Sequence, residues 1–300
     1  MVEEVDDPVP RDDEALVRVS VAAVGHVDRD VMSGGFVRHP PLPYVPGVEG
    51  AGTVVRSAAV PEGTHVWFRG AGLGIVANGT WSELAAVREV ALMPVPEGVA
   101  AEVAGTFFSV ATSAHVALHD VGEVRAGEHV AVRGAAGAVG SLAAQLAIRA
   151  GAADVAGIVS GPDRAVPDGA RPVVVGPDLA ERVRAGGDGV DLLVDTVGGF
   201  GLEDLIPAVA PGGRIVLVGY TAGTRTELDL SRLMQRDVRL LPLNMIRREP
   251  AARAAAPGLL NQLARGELSL EVTTFPLADV GRALTALERG TVTGRIALTP

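Results

Sequence analysis

Residues 129–151 read HVAVRGAAGAVGSLAAQLAIRAG, and three kinds of local structure are written into them. Val130, Ala131 and Val132 form a short apolar run of strand type. Gly134, Ala135, Ala136, Gly137, Ala138, Val139 and Gly140 form a turn of small residues. From there Val139, Leu142, Ala143, Leu146, Ala147 and Ala150 recur at the spacing that puts them on one face of a helix. A strand, a tight small-residue turn and a helix are the form in which a Rossmann unit binds a dinucleotide, and Gly/Ala-rich turns also occur as purely structural connections in many folds. The turn lets the backbone approach a pyrophosphate, and the helix start offers unpaired N–H groups at the positive end of its dipole. No Gly-Lys-Ser/Thr occurs in the turn, so a triphosphate-binding loop is excluded and backbone donors must do the holding.

Outward from this stretch, residues 109–246 alternate strand and helix signals. The strand candidates are His129–Arg133, Val155–Val159, Val173–Val175, Val190–Val194, Arg214–Val218 and Val238–Leu243. Continuous aliphatic runs separated by helical segments predict a parallel sheet covered on both faces, a doubly wound α/β domain of Rossmann type. Residues 1–108 differ. Ala15–Ala23, Gly50–Arg56, Thr64–Phe68 and Ser82–Val87 are short β runs broken by Gly and Pro, the pattern of a barrel-like β domain. Residues 247–300 predict a helix over Pro257–Arg265, a strand over Glu271–Phe275, a helix over Ala278–Arg289 and a last strand over Arg295–Leu298.

The bulk composition narrows the chemistry. The chain has 300 residues, 48% of them hydrophobic and 21% charged, with a formal net charge of −10. That balance supports full cores and argues against nucleic acid or an anionic membrane as partner. No apolar run reaches the length of a membrane span, and Glu3, Glu4, Asp6 and Asp7 are unlike a secretory leader, so a cytoplasmic location is expected. There is no Cys, which removes thiolate chemistry and Cys-ligated zinc, and all 26 basic residues are Arg, which removes Lys Schiff bases. A borrowed cofactor acting on a small-molecule substrate is the simplest remaining chemistry.

The second strand indicates which dinucleotide. An NAD site usually has an acid at that strand end to accept from the ribose 2′-OH. Here Val159 is followed by Ser160 and Gly161, with Arg164 close behind. A hydroxyl and a guanidinium suit a 2′-phosphate, so NADPH is favoured. Asp163 offers a competing ribose acid from within the Gly-Pro loop, and the plainer reading of Arg164 is a solvated surface charge.

The chain resembles the zinc-independent branch of the medium-chain dehydrogenases/reductases, the quinone oxidoreductases and polyketide enoyl reductases. The resemblance covers nearly all 300 residues and rests on VAAVGHVDRDVMSGG (21–35), PLPYVPGVEGAGTVV (41–55), GTFFSVATSAHVAL (105–118), RAGEHVAVRGAAGAVGSLAAQLA (125–147), DLLVDTVGG (191–199), PGGRIVLVG (211–219) and GRIAL (294–298). It implies a GroES-like β domain, built from residues 1–108 and 247–300, beside a Rossmann NADP(H)-binding domain of residues 109–246. It also implies a cofactor in the cleft between them, and hydride transfer to an activated alkene or a quinone. Two positions that carry zinc ligands in zinc-dependent relatives correspond to Val27 and Val48; valine has no lone pair, so no zinc is expected. Without that Lewis acid, conjugate reduction is the accessible chemistry, with the developing oxyanion held by hydrogen-bond donors and the α-carbon protonated by a side chain or water.

The resemblance implies cofactor contacts at Thr112, at the turn Ala135, Ala136, Gly137, Ala138, Val139 and Gly140, and at Ser160 and Arg164. Further contacts are implied at Thr196, Val197, Gly219, Tyr220, Leu243, Asn244 and Met245, and at Gly294 and Arg295. His26 and Asp28 form a candidate acid pair, His being suited to proton donation near neutral pH; the competing reading makes residues 26–30 a solvated turn with Asp28 capping a helix. Tyr220 and His115 are further candidate donors, and Tyr44 is expected to be structural. Relatives carry another strand before the segment matching Val2–Pro10, and its absence is expected to alter the edge of the β domain. Pro162, Pro167, Gly169 and Pro172 predict that the helix after the second Rossmann strand is shortened or absent. The resemblance implies a homodimer through the last Rossmann strands; the Val238–Leu243 run is apolar enough for such an intersubunit sheet, and a buried core strand would read the same. Two other classes stay open: an NADPH-binding scaffold or sensor that does no reduction, and a natural-product tailoring or cyclising enzyme on the same fold.

Overall fold

Eleven residues, Glu14–Val24, alternate at first between buried (Ala15, Val17, Val19) and less buried positions and then become continuously buried (Val21–Val24). In a computed structural model, which describes residues 2–36, 38, 40–184 and 187–300, this segment is β1, the central strand of the first of two compact units. The change in pattern follows a change in partners. The start of β1 pairs with β4 (Leu84–Arg88), its end pairs with β13 (Arg295–Thr299), and β2 (Glu49–Arg56) runs along the other side. Irregularities at Leu16/Val17 and Val19/Val21 bend the strand. With β3 (His65–Arg69), β5 (Leu92–Pro94) and β12 (Val272–Pro276) the sheet has seven strands in the order β12-β13-β1-β2-β3-β5, β4 lying beside β1. Its core is built from Val17, Val54, Phe68, Trp81, Val87 and Leu298. The unit comprises Met1–Ser109 and Leu260–Pro300 and carries the helices α1 (His26–Met32) and α2 (Ala101–Ala104).

The second unit, Val110–Leu259, receives the end of α3 (Phe107–His115). It holds α4 (Ala138–Arg149), α5 (Leu179–Arg184), α6 (Leu230–Arg236) and most of α7 (Glu249–Ala264); the remaining helix, α8 (Val280–Arg289), lies in the first unit. Six strands form its sheet: β6 (His129–Arg133), β7 (Asp154–Val159), β8 (Arg171–Val174), β9 (Val190–Asp195), β10 (Val209–Leu217) and β11 (Arg239–Pro242). All pairings are parallel and the spatial order is β8-β7-β6-β9-β10-β11. Chain order reverses between β6 and β9, the topological switch point where such sheets bind ligands. The predicted α/β class, a β domain plus a doubly wound parallel sheet, is what the chain forms.

Three details depart from the sequence reading or sharpen it. No helix joins β7 to β8; residues 160–170 form turns and irregular chain, as the prolines dictate. Val166 of that connection packs over Gly157 of β7, where any Cβ would clash with it. The helix expected from Pro257 starts at Glu249 instead and includes Pro257. The alanines at 251, 252 and 254–256 have the propensity to carry the helix through it. The second unit boundary therefore falls inside α7 and not at 246/247. Val2–Pro10 form neither helix nor strand. No helix among the described residues is long and apolar enough to cross a membrane.

Candidate functional site

At the end of β6 the chain turns at Gly134 with φ +83°, and the Gly134 and Ala135 amides donate to the Ile158 carbonyl at 3.0 and 3.2 Å. Gly137 then caps α4 with extended backbone and no side-chain cap. The first intrahelical bond is Ser141 N–H to Gly137 O at 2.8 Å. The N–H groups of Ala138, Val139 and Gly140 thus have no acceptor within the helix. Gly140 is required by packing: a Cβ there would fall against the Gly134 carbonyl. Gly137 is different, since its Cβ would meet only Gly134 O, at 3.3 Å, and otherwise project into open space. An uncapped twelve-residue helix with a Cβ-free entrance fits a pyrophosphate. Ala135 and Ala136 are buried beneath the turn, so their part is played by backbone.

Beyond β7, Ser160 is exposed, and a turn closed by Arg164 N–H to Gly161 O at 3.2 Å follows it. Arg164 is half-buried and Asp163 exposed. After β9, Asp195 is fully buried; its Oδ1 accepts from the Val197 and Gly198 amides at 3.0 and 3.1 Å, and its Oδ2 lies 3.4 Å from the Arg133 guanidinium. The Thr196 hydroxyl donates to Arg133 O at 2.7 Å. Gly219 packs against the Thr196 carbonyl so closely that no side chain fits, and Tyr220 is 55% exposed. The Leu243 amide donates to Leu217 O, while the Asn244 side-chain oxygen accepts from the Ile246 and Arg247 amides at 3.0 and 3.2 Å. Thr196, Val197, Gly219, Tyr220, Leu243, Asn244 and Met245 all follow the carboxyl ends of β9, β10 and β11, on the same edge of the sheet as the turn. The side-chain oxygens of Thr196 and Asn244 are engaged locally. Thr112 is fully buried in α3.

The β unit holds a second polar cluster. Asp28 is 1% exposed; its Oδ2 accepts the Gly25 amide at 2.8 Å and its Oδ1 the Val48 amide at 2.9 Å. Burial pushes its carboxyl up to about 6 despite these two donors and the nearby Arg295 and Arg69 cations. Its oxygens tie the start of α1 to the entrance of β2. The expected acid pair with His26 is therefore not formed: Asp28 caps α1, as the competing reading had it, but from a buried position. The His26 Nδ1 is buried with no partner, and burial, reinforced by Arg29, lowers the ring's pKa and favours the neutral imidazole.

Arg295 is also internal to this unit, where its Nε donates to Thr106 O at 3.0 Å and its Nη2 lies 3.6 Å from Glu49, itself 1% exposed. The Glu49 carboxylate in turn accepts the Ser109 amide. The Glu49–Arg295 pair and the buried, unpartnered hydroxyl of Tyr44 were not foreseen from sequence. Glu49 and Arg295 lie in separate motifs, and only the pairing of β1 with both β2 and β13 brings them together. Gly294, with φ +76°, packs on the Glu271 carbonyl. Val48 is buried and brings no donor atom, nor does Val27. Among the described residues no three His, Cys, Asp or Glu side chains converge to hold a metal. The residues do not fit a zinc site.

Comparison with known proteins agrees with this geometry. A family model described as alcohol dehydrogenase GroES-like domain matches residues 11–97, and one described as zinc-binding dehydrogenase matches residues 168–298. The quinone oxidoreductase of Thermus thermophilus, whose complex with NADPH is also solved, superimposes with a TM-score of 0.84 at 30% identity, over 99% of this chain and 95% of its own. The chain belongs to the medium-chain dehydrogenase/reductase family. Other members of this family of oxidoreductases are similar at comparable distance. Escherichia coli quinone oxidoreductase complexed with NADPH has a TM-score of 0.87 at 25% identity, covering 99% of this chain and 95% of its own. Bos taurus prostaglandin reductase-3 is 28% identical over 299 residues, which span 94% of this chain and 77% of the relative. Like the family's GroES-like and Rossmann pair, the two units here are a mixed β sheet and a six-stranded parallel sheet.

Proposed function

We propose that this protein is an NADPH-dependent, zinc-independent reductase of an activated alkene (an enone or enoyl group) or a quinone. The observation that carries this reading is the chain after β7, where Ser160 and Arg164 stand in sequence in place of a ribose-binding acid, together with the uncapped start of α4. The names of the relatives support it, since two quinone oxidoreductases are solved with NADPH and a third relative is a prostaglandin reductase.

When bound, NADPH supplies the hydride. The chain's own residues do the rest. The amides of Ala138, Val139 and Gly140 hold the pyrophosphate. Arg164 and Ser160 hold the 2′-phosphate through charge-assisted hydrogen bonds. Val197, Gly219 and the segment Leu243, Asn244, Met245 position the nicotinamide end, largely through backbone, since the Asn244 side-chain oxygen already caps the next turn. Because the residues at the family's zinc positions are valines, stabilisation of the substrate oxygen falls to hydrogen-bond donors. Arg295 is assigned to internal support of the β unit and not to phosphate contact, given its bonds to Thr106 and Glu49. The protein is further proposed to be a homodimer built on the outer edge of β11. Deuteride transfer from labelled NADPH separates this reading from an NADPH-binding scaffold and from redox-neutral tailoring chemistry.

A further inference from the structure

The segment HVALHD, residues 115–120, puts two histidines four residues apart where α3 ends, within the second unit. Val116, Ala117 and Leu118 between them are fully buried, whereas His115 is half-buried and His119 and Asp120 are exposed. The helix widens here. Val116–Val121 form a π-helical turn, closed by Gly122 N–H to Ala117 O at 2.8 Å. Such turns are rare and recur at functional sites. The two imidazole rings meet, with centroids 4.6 Å apart and planes tilted by 45°; among the described residues no other two histidine rings are in contact. The nitrogens of His115 are not sealed from solvent, unlike Nδ1 of His26, and His119 lies on the surface. Burial lowers the pKa of both rings, His119 lowers that of His115 further, and Asp120 pulls both the other way. The net direction favours neutral imidazole at pH 7, the form that ligates metals.

We propose that His115 and His119 are a chelating pair for one divalent transition-metal ion, copper(II) before nickel(II) or zinc(II). Two histidines at this spacing on one helix face can present a nitrogen each to a single ion. Metal–nitrogen bonds of about 2.0–2.1 Å require the two donors to lie within about 4 Å of each other, a separation that rings 4.6 Å apart reach by turning about their side-chain bonds. Asp120 adds negative charge beside the pair, acting on both rings. Among the described residues no third His, Asp or Glu converges on them, so water completes the coordination shell. That donor set disfavours a closed tetrahedral zinc site and suits a tetragonal nitrogen and oxygen shell. The order of the three metals follows from imidazole ligation and the general affinity order of divalent ions. The site is independent of the cofactor turn and of the reductase reading.

The test is calorimetric titration of the full-length protein with the metal salts alone, in a weakly coordinating buffer. The wild-type protein is expected to bind one equivalent of Cu²⁺ in its tightest step, at least about tenfold tighter than Ni²⁺ or Zn²⁺. His119→Ala, a change at an exposed position, weakens that step at least about tenfold, and His115→Ala does the same. His129→Ala, a change outside the pair, leaves it unaltered. Electron paramagnetic resonance of the one-equivalent copper complex shows coupling to two imidazole nitrogens in the wild-type protein and to one in His119→Ala. Three results overturn the proposal: no tight equivalent of Cu²⁺, an affinity unchanged in His119→Ala, or a nitrogen coupling that the substitution leaves as it was.

Discussion

At the scale of single residues, the choice of cofactor turns on Arg164. The signal is local: the strand ending at Val159 runs into a hydroxyl and then a guanidinium, and a turn from Gly161 to Arg164 lies between them. Loss of one charge-assisted bond costs about 1.5–3 kcal/mol, so Arg164→Ala weakens NADPH about 10–100-fold and leaves NADH almost untouched. Titration of both cofactors by fluorescence checks it; an unchanged preference assigns Arg164 to the solvated surface. Residues whose environment is set by distant chain were not legible in the same way. Arg295 reads as a cleft residue by position, yet it is buried because β13 pairs with β1 and places it near Glu49. Asp28 reads as an acid beside a histidine, yet the backbone donors at Gly25 and Val48 claim both of its oxygens.

At the scale of elements, the turn into α4 separates binding from folding. Gly140 faces the Gly134 carbonyl and Gly137 faces open space. Gly140→Ala therefore strains the turn and costs roughly 1–3 kcal/mol of stability. Gly137→Val places its side chain in the approach to the uncapped amides, lowering NADPH affinity by at least about tenfold with a smaller loss of stability. Urea unfolding and cofactor titration of the two variants check the separation; equal behaviour would show that the turn has a single, structural role. This unit was legible because strand, turn and helix are contiguous. The missing helix after β7 was legible because Pro and Gly act locally. The first turns of α7 were not, since the alanine run outweighs Pro257 and the two signals conflict over the same residues.

At the scale of the whole molecule, the two units follow from the change in hydrophobic pattern, from short strands broken by Gly and Pro to aliphatic runs alternating with helices. The spatial order of the six parallel strands was not in that pattern, though connection rules for parallel sheets restrict it strongly. The six-stranded sheet has two edge strands, β8 and β11. β11 ends the six-stranded sheet, no strand among the described residues pairs with its outer side, and α6, which precedes it in the chain and packs against β10, exposes Leu230 at 65% and Met234 at 74%. Light scattering is expected to give about twice the chain's 30.7 kDa; a monomeric mass rejects the dimer. The central claim is hydride transfer from NADPH, and stereospecifically deuterated NADPH tests it most directly. Incubated with menadione or methyl vinyl ketone, the protein is expected to consume the cofactor and, for the enone, to return a saturated ketone one deuteron heavier at the β-carbon. NADPH that binds tightly yet remains unoxidised, or product formed without deuterium from the labelled cofactor, would contradict it.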